Sequence, residues 1–356
     1  MTIRAGYFPF RPGFNPYQAL FASALEGAGV SVERIAPRKF FPLCAATRRP
    51  IDLLHMDWPD SLFVGRSALA TWAKRRMYLA GLRKLRNFPL VWTAHNLIGH
   101  DAANADYRRT MVQLLVDRCN AIVVMSHAAE RLLRESYRIG DSTQVAVIPH
   151  GHYIDTYANV VDRPQARAAF SVDESARVVL FLGRLQPYKG LEDLIDAFAR
   201  IARAGDLLVL AGPGGGAEYC EQIRLRASAA CPQGCEIRVI PGLIPDDLLQ
   251  LYFNAADVVA LPFKAILNSG SALLAQSFGR CVIAPALGSL PEVLCDDGFF
   301  GYDPAEPDAL VRTLGAALER SDLVDRGLIS RDYLRMHYDW TDIGRKAREL
   351  YETILE

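Results

Sequence analysis

Two cations stand five residues apart at Arg184 and Lys189, just after the apolar run Val178–Leu182. Gly183 ends that run, and a helical pattern opens after Gly190. Loops at the carboxyl ends of parallel strands are where open α/β sheets bind ligands. Arginine forks onto phosphate oxygens and lysine adds a point charge, so the pair suits a diphosphate. Two solvated cations on a surface loop would have the same spacing. The segment Asn268, Ser269, Gly270, Ser271 lies between a strand-like run ending at Leu261 and an apolar helical pattern reaching Gly279. Its backbone N–H groups at a helix start suit phosphate. Ser and Asn are also the ordinary helix caps. Downstream, Gly288 and Ser289 lead to Glu292 at another helix start. That acid can bond a ribose diol or sugar hydroxyls, or it complements the helix dipole. The glycine run Gly212, Gly214, Gly215, Gly216 lacks the context of a dinucleotide fingerprint, which belongs to the first strand of its unit. It reads as a tight turn that lets backbones approach.

The N-terminal part has its own polar residues at presumed strand ends. His55 ends one apolar run and Asp57 and Asp60 follow it, while His95, Asn96, His100 and Asp101 follow the next. For each of these a cap or turn role is the plain alternative. His95, His100 and Asp101 could ligate a metal by spacing alone. His150 and His152 sit where the first unit ends.

The elements that must position these residues follow from the apolar pattern. Short β-branched runs recur at 52–55, 89–93, 121–125, 145–148, 178–182, 207–211, 237–240, 258–261 and 282–284, and the N-terminus opens directly on another strand-like segment. Most are apolar at consecutive positions, as in strands buried on both faces of a parallel sheet. Helical patterns lie between them. Leu191, Leu194, Ile195, Phe198 and Ile201 follow the spacing of a core-facing stripe. The alternation predicts a doubly wound α/β architecture. At 356 residues there is room for two domains. The polar stretch 155–174 is the expected linker, with domains at 1–158 and 159–338 and a final helix over 339–356.

Composition narrows the function classes. With 51% hydrophobic and 22% charged residues the chain is not disordered. No run approaches the ~20 apolar residues of a membrane span, and the N-terminus shows no secretory pattern. Seven cysteines without C-x-x-C pairs indicate neither a disulfide framework nor a zinc site, so a cytoplasmic location is expected. Net charge is zero, yet residues 1–100 hold 14 basic and 5 acidic residues while the remainder hold 26 and 35. The excess peaks over 65–89, where Arg66, Lys74, Arg75, Arg76, Arg83, Lys84 and Arg86 interleave with Leu69, Trp72, Met77 and Leu79 without one acid. Such an amphipathic stretch suits an anionic membrane surface, with Trp72, Lys74, Arg75, Arg76, Arg83 and Lys84 facing it. A helix packed on its own domain is the alternative. No nucleic-acid module accompanies the patch, so nucleic acid is not expected.

The second half resembles the donor domain of family 4 glycosyltransferases of the GT-B fold. The resemblance rests on Gly183, Arg184, Leu185, Lys189 and Gly190, then Gly212 and Gly242, then Gly279 before Val282–Ala284, and Gly288 with Glu292. It implies two Rossmann-like domains facing a cleft, with the last helix crossing back onto the first. It also implies that Arg184, Lys189 and Gly183 hold the diphosphate of a nucleotide sugar, with Asn268–Ser271 beside it, Glu292 near the ribose, and Gly242 and Leu243 near the base. Retaining members carry paired glutamates at positions that here hold Ile266 and Leu274. Beyond the family, the chain is similar to inverting, GDP-mannose-dependent β-mannosyltransferases of xanthan-type exopolysaccharide assembly. This rests on Asn15-Pro16-Tyr17, His55, Trp58-Pro59-Asp60, Thr93 to Leu97, His150 to Tyr153, and Asn268-Ser269-Gly270.

That resemblance implies a lipid-diphosphate-linked oligosaccharide acceptor at the inner face of the plasma membrane, with the basic stretch as docking surface and polysaccharide-assembly enzymes as further partners. No cofactor or metal is expected. An inverting transfer needs a base for the acceptor hydroxyl. Asp101 or Asp60 is the expected base, with His95 contacting donor or acceptor and His55, Asp57, Asn96 and His152 lining the acceptor side. Retaining transfer from a UDP-sugar, or an inactive GT-B protein that only binds a nucleotide or partner, remain the other readings.

Overall fold

The computed structural model describes residues 2–11, 13, 16–97 and 105–356. The chain divides into two compact units, Met1–Gly151 with Tyr338–Glu356, and His152–His337. Each is built on a six-stranded sheet whose recorded pairings are all parallel.

In the first unit the strands are β1 (Arg4–Phe8), β2 (Ser31–Arg34), β3 (Leu53–Met56), β4 (Leu90–Thr93), β5 (Ala121–Val124) and β6 (Gln144–Val147). Their spatial order is β2-β1-β3-β4-β5-β6. The order reverses between β1 and β3, so the loops after those two strands flank a topological switch point. Strands β3, β4 and β5 are buried throughout, which explains their unbroken apolar runs.

In the second unit the strands are β7 (Val178–Leu182), β8 (Leu207–Gly212), β9 (Glu236–Pro241), β10 (Val258–Ala260), β11 (Cys281–Pro285) and β12 (Phe299–Tyr302). The order β12-β11-β10-β7-β8-β9 is that of a dinucleotide-binding sheet, and its switch point lies between β7 and β10. Each of the nine apolar runs noted in the sequence is a strand. Two strands carried no such run, β2 and β12. Both are edge strands, and their residues are half-buried or exposed rather than continuously apolar.

The stretch 155–174 is not a plain linker. Asp162 accepts from the Gln165 backbone and Gln165 answers with its side chain, a capping box that starts the helix Arg163–Ala169. Arg167 is buried and donates to the carbonyls of Asp173, Glu174 and Ala176 and to Asp257, which ties this stretch into the second unit. Its polarity serves the folded unit, and the change of unit falls after Gly151 rather than at the 158/159 boundary read from the sequence.

The last helix, Trp340–Leu355, belongs to the first unit. Asp339 caps it, and Ile343, Ala347, Leu350 and Tyr351 join Tyr17, Phe21 and Leu25 of the helix Tyr17–Gly27 in one core. The two helices approach closely because Gly344 has no side chain: a Cβ there would lie 2.2 Å from the Ala24 carbonyl oxygen. Gly344→Val should force the helices apart and lower stability by about 1–3 kcal/mol, as overpacking does. Thermal unfolding of the variant checks this, and an unchanged melting temperature would show that the contact is not tight.

Candidate active site

The second unit gathers its sequence-marked residues around the switch point. Strand β7 ends at Leu182, and the 3₁₀ turn Pro187–Lys189 leads into the helix Leu191–Ile201. Gly190 connects them with φ +71°, and a Cβ there would meet the Pro262 carbonyl at 2.0 Å. Only glycine fits, so the Lys189 turn lies directly against the loop after β10. On the other side, a Cβ on Gly183 would stand 3.4 Å from Ser271 Oγ. The Arg184 turn therefore abuts the helix Gly270–Ser277, whose cap is Ser269, accepting from Ala272 N at 3.2 Å. Gly212 passes so close that its Cβ would be 2.1 Å from the Gly183 carbonyl oxygen, and it accepts from Gly242 N at 2.9 Å. The glycine run is thus a close-approach turn. Gly288 and Ser289 are zipped onto the loop before Asn268: Ser289 N and Oγ both donate to Leu267 O, at 2.9 and 2.7 Å.

Arg184 is exposed, and Lys189 is half-buried with its Nζ 4.2 Å from the Phe263 ring centroid and 4.9 Å from that of Tyr188. Burial, reinforced by nearby Arg184, pushes the Lys189 ammonium down to about 8. An anion between them would relieve both effects. Glu292 is exposed on the short helix Leu290–Val293, and Leu243 is exposed beside Gly242, φ +148°. The structure thus joins Gly183, Arg184, Lys189 and Asn268–Ser271 into one neighbourhood at the switch point. Ile266 and Leu274 are apolar neighbours of that loop, and Leu274 is buried.

The first unit buries a polar cluster at its own switch point. Asp57 follows β3 and has no solvent exposure. It accepts from Tyr7 Oη at 2.5 Å, Gln18 Nε2 at 3.1 Å and His95 Nε2 at 2.9 Å. Burial would raise this carboxyl, but neighbouring His95 and His55 and the bonds from His95 and Tyr7 outweigh it and hold it below its ordinary value. His95 follows β4. Trp58 stacks on its ring at 4.1 Å between centroids, and Tyr17 meets it edge-on at 4.8 Å. Trp58 takes φ +33°, a conformation that costs a bulky residue energy and tends to persist where function needs it. One layer deeper, His55 Nε2 lies 2.6 Å from Thr93 Oγ1, and its Nδ1 meets the Tyr351 hydroxyl of the last helix. Desolvation pushes His55 down to about 4, so it is neutral. His150, also buried and also lowered to about 4 by desolvation, packs 4.8 Å from Tyr17.

Placement separates the sequence candidates. Asp57 and His95 form a pair, and the sequence did not mark them as one. His55 is a supporting core residue under that pair. Asp60 starts the helix Asp60–Phe63, half-exposed, and is paired with Arg108 at 2.9 Å. Asn96 is exposed on the loop after β4, and His152 is buried at the start of the second unit. His100 and Asp101, with Asn15, lie outside the described residues. Among the described residues no group of His, Cys, Asp and Glu is placed to hold a metal. Tyr7, Gln18 and Trp58 were missed as site residues. Tyr7 and Gln18 lie 50 and 39 residues from Asp57 in the chain, and no local spacing signals such partners.

The basic stretch forms the helix Ala68–Lys84, capped by Ser67. Tyr78, Gly81 and Leu82 face inward, while Leu69 is 75% and Trp72 60% exposed. Arg75, Arg76, Arg83 and Lys84 are exposed, and the Arg76 guanidinium lies 5.9 Å from the Trp72 ring centroid. Lys74 is a correction to the expected membrane-facing set. Its Nζ turns back to donate to Ser61 O and Val64 O, at 2.8 and 2.7 Å, because those carbonyls end the preceding helix without partners along it. No helix among the described residues is long and apolar enough to cross a membrane.

Two doubly wound units, one with cations and a helix N-terminus at its switch point and one with a buried Asp–His pair, define a GT-B glycosyltransferase. The profile described as "Glycosyltransferase Family 4" matches residues 19–155, and that described as "Glycosyl transferases group 1" matches 176–320. The chain belongs to the family 4 glycosyltransferases. It is 29% identical over 279 residues to the GDP-mannose:glycolipid 4-beta-D-mannosyltransferase of Xanthomonas campestris, covering 76% of this chain and 70% of that protein. It is 31% identical over 290 residues to the D-inositol 3-phosphate glycosyltransferase of Corynebacterium efficiens, covering 76% and 67%. The sucrose-phosphate synthase of Thermosynechococcus elongatus shares the fold with a TM-score of 0.78 at 20% identity, over 99% of both chains. Anabaena HepE, solved with UDP and glucose, does so at 0.73 and 18%, over 99% and 100%.

Buried neutral histidines give the first unit a pH signature. Unfolded histidine titrates near 6.5, while folded His55 and His150 titrate at about 4. The unfolded chain binds more protons between these values, so stability is complete above about 6.5 and falls as pH drops toward 4. At pH 5 the loss is up to about 2 kcal/mol for each histidine. Asp57 adds a later loss, as pH falls through its depressed native value. Urea unfolding at pH 7.5 and pH 5 should show the drop, and His55→Gln should shrink it. Equal stability at both pH values would refute the account.

Proposed function

We propose that the chain is an inverting mannosyltransferase. It moves mannose from GDP-mannose to a lipid-diphosphate-linked glycan at the inner face of the plasma membrane, in exopolysaccharide assembly. The carrying observation is the pairing of His95 with the fully buried Asp57. Inversion requires one in-line displacement with a base for the acceptor hydroxyl, and a histidine oriented by a carboxylate is suited to that task. The apolar Ile266 and Leu274, where retaining relatives carry glutamates, agree with it. The mannosyltransferase of Xanthomonas supports the donor and the glycolipid acceptor.

In this reading the imidazole of His95 takes the acceptor proton as the acceptor oxygen attacks the anomeric carbon. Asp57, already on Nε2, stabilises the imidazolium that forms. The bond from the anomeric carbon to the diphosphate oxygen breaks on the opposite side. Arg184, Lys189 and the N-terminus of the helix Gly270–Ser277 neutralise the leaving diphosphate, a role that fixed donors and cations fill without a metal. Glu292 is assigned to the ribose and Gly242–Leu243 to the base. Exposed Leu69 and Trp72 among Arg75, Arg76, Arg83 and Lys84 make the membrane-facing side.

His95→Gln should lower kcat at least about a hundredfold while leaving donor binding intact, and Asp57→Asn should follow it. Wild-type turnover in either variant would remove the pair from catalysis. For the donor side, GDP and GDP-mannose should raise the melting temperature of the protein, and Arg184→Ala should abolish that shift and cost about a hundredfold in rate. The alternative is retaining transfer of a hexose from a UDP-sugar, since similarity to D-inositol 3-phosphate glycosyltransferases does not single out mannose transfer. A shift with UDP alone and a product of retained anomeric configuration would establish that alternative instead.

A further inference from the structure

The first unit has a cavity of about 670 Å³ away from Asp57 and His95. The loop Val64–Ser67 forms one wall. Ala68, Thr71, Trp72 and Arg75 form the second, since positions i, i+3, i+4 and i+7 share one helix face. Tyr107 and Arg108 close it from the helix Ala105–Val116. The wall is built tightly. A Cβ on Gly65 would fall 2.6 Å from the Thr71 backbone nitrogen, and Thr71 Oγ1 accepts from Gly65 N at 3.1 Å. Tyr107 is held by its hydroxyl on Phe63 O at 2.9 Å.

Three guanidinium groups, Arg66, Arg75 and Arg108, line this space, and no carboxylate among the described residues does. Asp60 answers Arg108 through one nitrogen, Nη1. Lys74 on the same helix is committed to backbone carbonyls elsewhere. Arg66 and Arg75 are exposed, with no acid between residues 61 and 100 to balance them. The cavity exceeds the size of a simple anion and falls in the range of organic ligand sites. Two planar rings, Trp72 and Tyr107, stand beside the guanidinium groups. Leu69, 75% exposed in the turn of helix that also carries Trp72, gives the rim an apolar side.

We propose that this cavity binds the diphosphate ester headgroup of a membrane-borne lipid. The arginines take the phosphate oxygens, a geometry arginine supplies in pairs, while Leu69 and Trp72 stay with the carrier chain at the membrane. The inference rests on the reading of a lipid-linked acceptor and assigns its anionic end to named residues. It is separate from the diphosphate subsite of the donor, which belongs to the second unit.

Vesicle flotation tests it with the full-length protein. Phosphatidylcholine vesicles doped with a polyprenyl diphosphate are compared with vesicles of equal charge made with phosphatidylglycerol. The wild type should prefer the diphosphate lipid by about tenfold or more, the scale of a charged hydrogen-bonded pair. Arg66→Gln with Arg75→Gln should lose that preference while keeping its melting temperature and its nucleotide-induced shift, and Arg75→Glu alone serves as a second variant. Equal wild-type binding to both vesicle types, or a preference that survives in both variants, would overturn the proposal. Binding of inorganic pyrophosphate as tight as that of the lipid would overturn its membrane part. Failure of the glycosyl-transfer reading would appear elsewhere, as no nucleotide shift in the wild type, and the vesicle preference does not depend on it.

Discussion

A carboxylate sealed from solvent must have its charge answered by the protein, and Asp57 places that demand on the first unit. Leaving such a group without partners costs several kcal/mol or drives it to take up a proton. Tyr7 from β1, Gln18 from the first helix and His95 from beyond β4 converge on it. Tyr7 and Gln18 come from the β1 side of the switch point and His95 from β4, the strand beside β3, so the topology and the charge are satisfied together. His55, two residues back on β3, anchors the same layer to Thr93 and to Tyr351 of the last helix. The end of the chain is therefore part of the support of the polar cluster. Gly344 makes that support close.

The second unit uses a different currency, backbone proximity. Gly190, Gly212 and Gly288 each pack where a Cβ would press into the backbone of a neighbouring loop. Their effect is to draw four strand-end loops within reach of one another around β7 and β10. Two cations and a capped helix start then lie on adjoining loops. An anion suits that region because the positive charge is fixed by packing and half-buried, as the lowered Lys189 shows.

The two polar clusters lie in units of equal strand count and different strand order. The sheet of order 3-2-1-4-5-6 carries the cations suited to a diphosphate. The sheet of order 2-1-3-4-5-6 carries the imidazole–carboxylate pair, and its unit also holds the basic helix with its exposed tryptophan. Lys74 shows how a helix read as one basic face is sorted by its surroundings. The free carbonyls at a helix end draw in that single cation, and the remaining ones stay in solvent.

Much of this was legible in the chain alone. Central parallel strands are buried on both faces, so their runs are continuously apolar and stand out without an alignment. The edge strands β2 and β12 are only partly buried and lack that mark. Arg184, Lys189 and Asn268–Ser271 stood out because a strand end and a helix start are local features, written within a few residues. The 155–174 stretch looked like a linker because its partners, Asp257 and Gln250 among them, lie some 80 to 95 residues away. Asp57 and His95 were individually visible but not as a pair, and Asp60 drew equal attention. What joins the first two and leaves the third on the surface is the adjacency of β3 and β4 and the burial it creates. Residue type and local pattern are properties of the sequence, whereas burial and convergence across 38 residues of chain exist only once the sheet has formed.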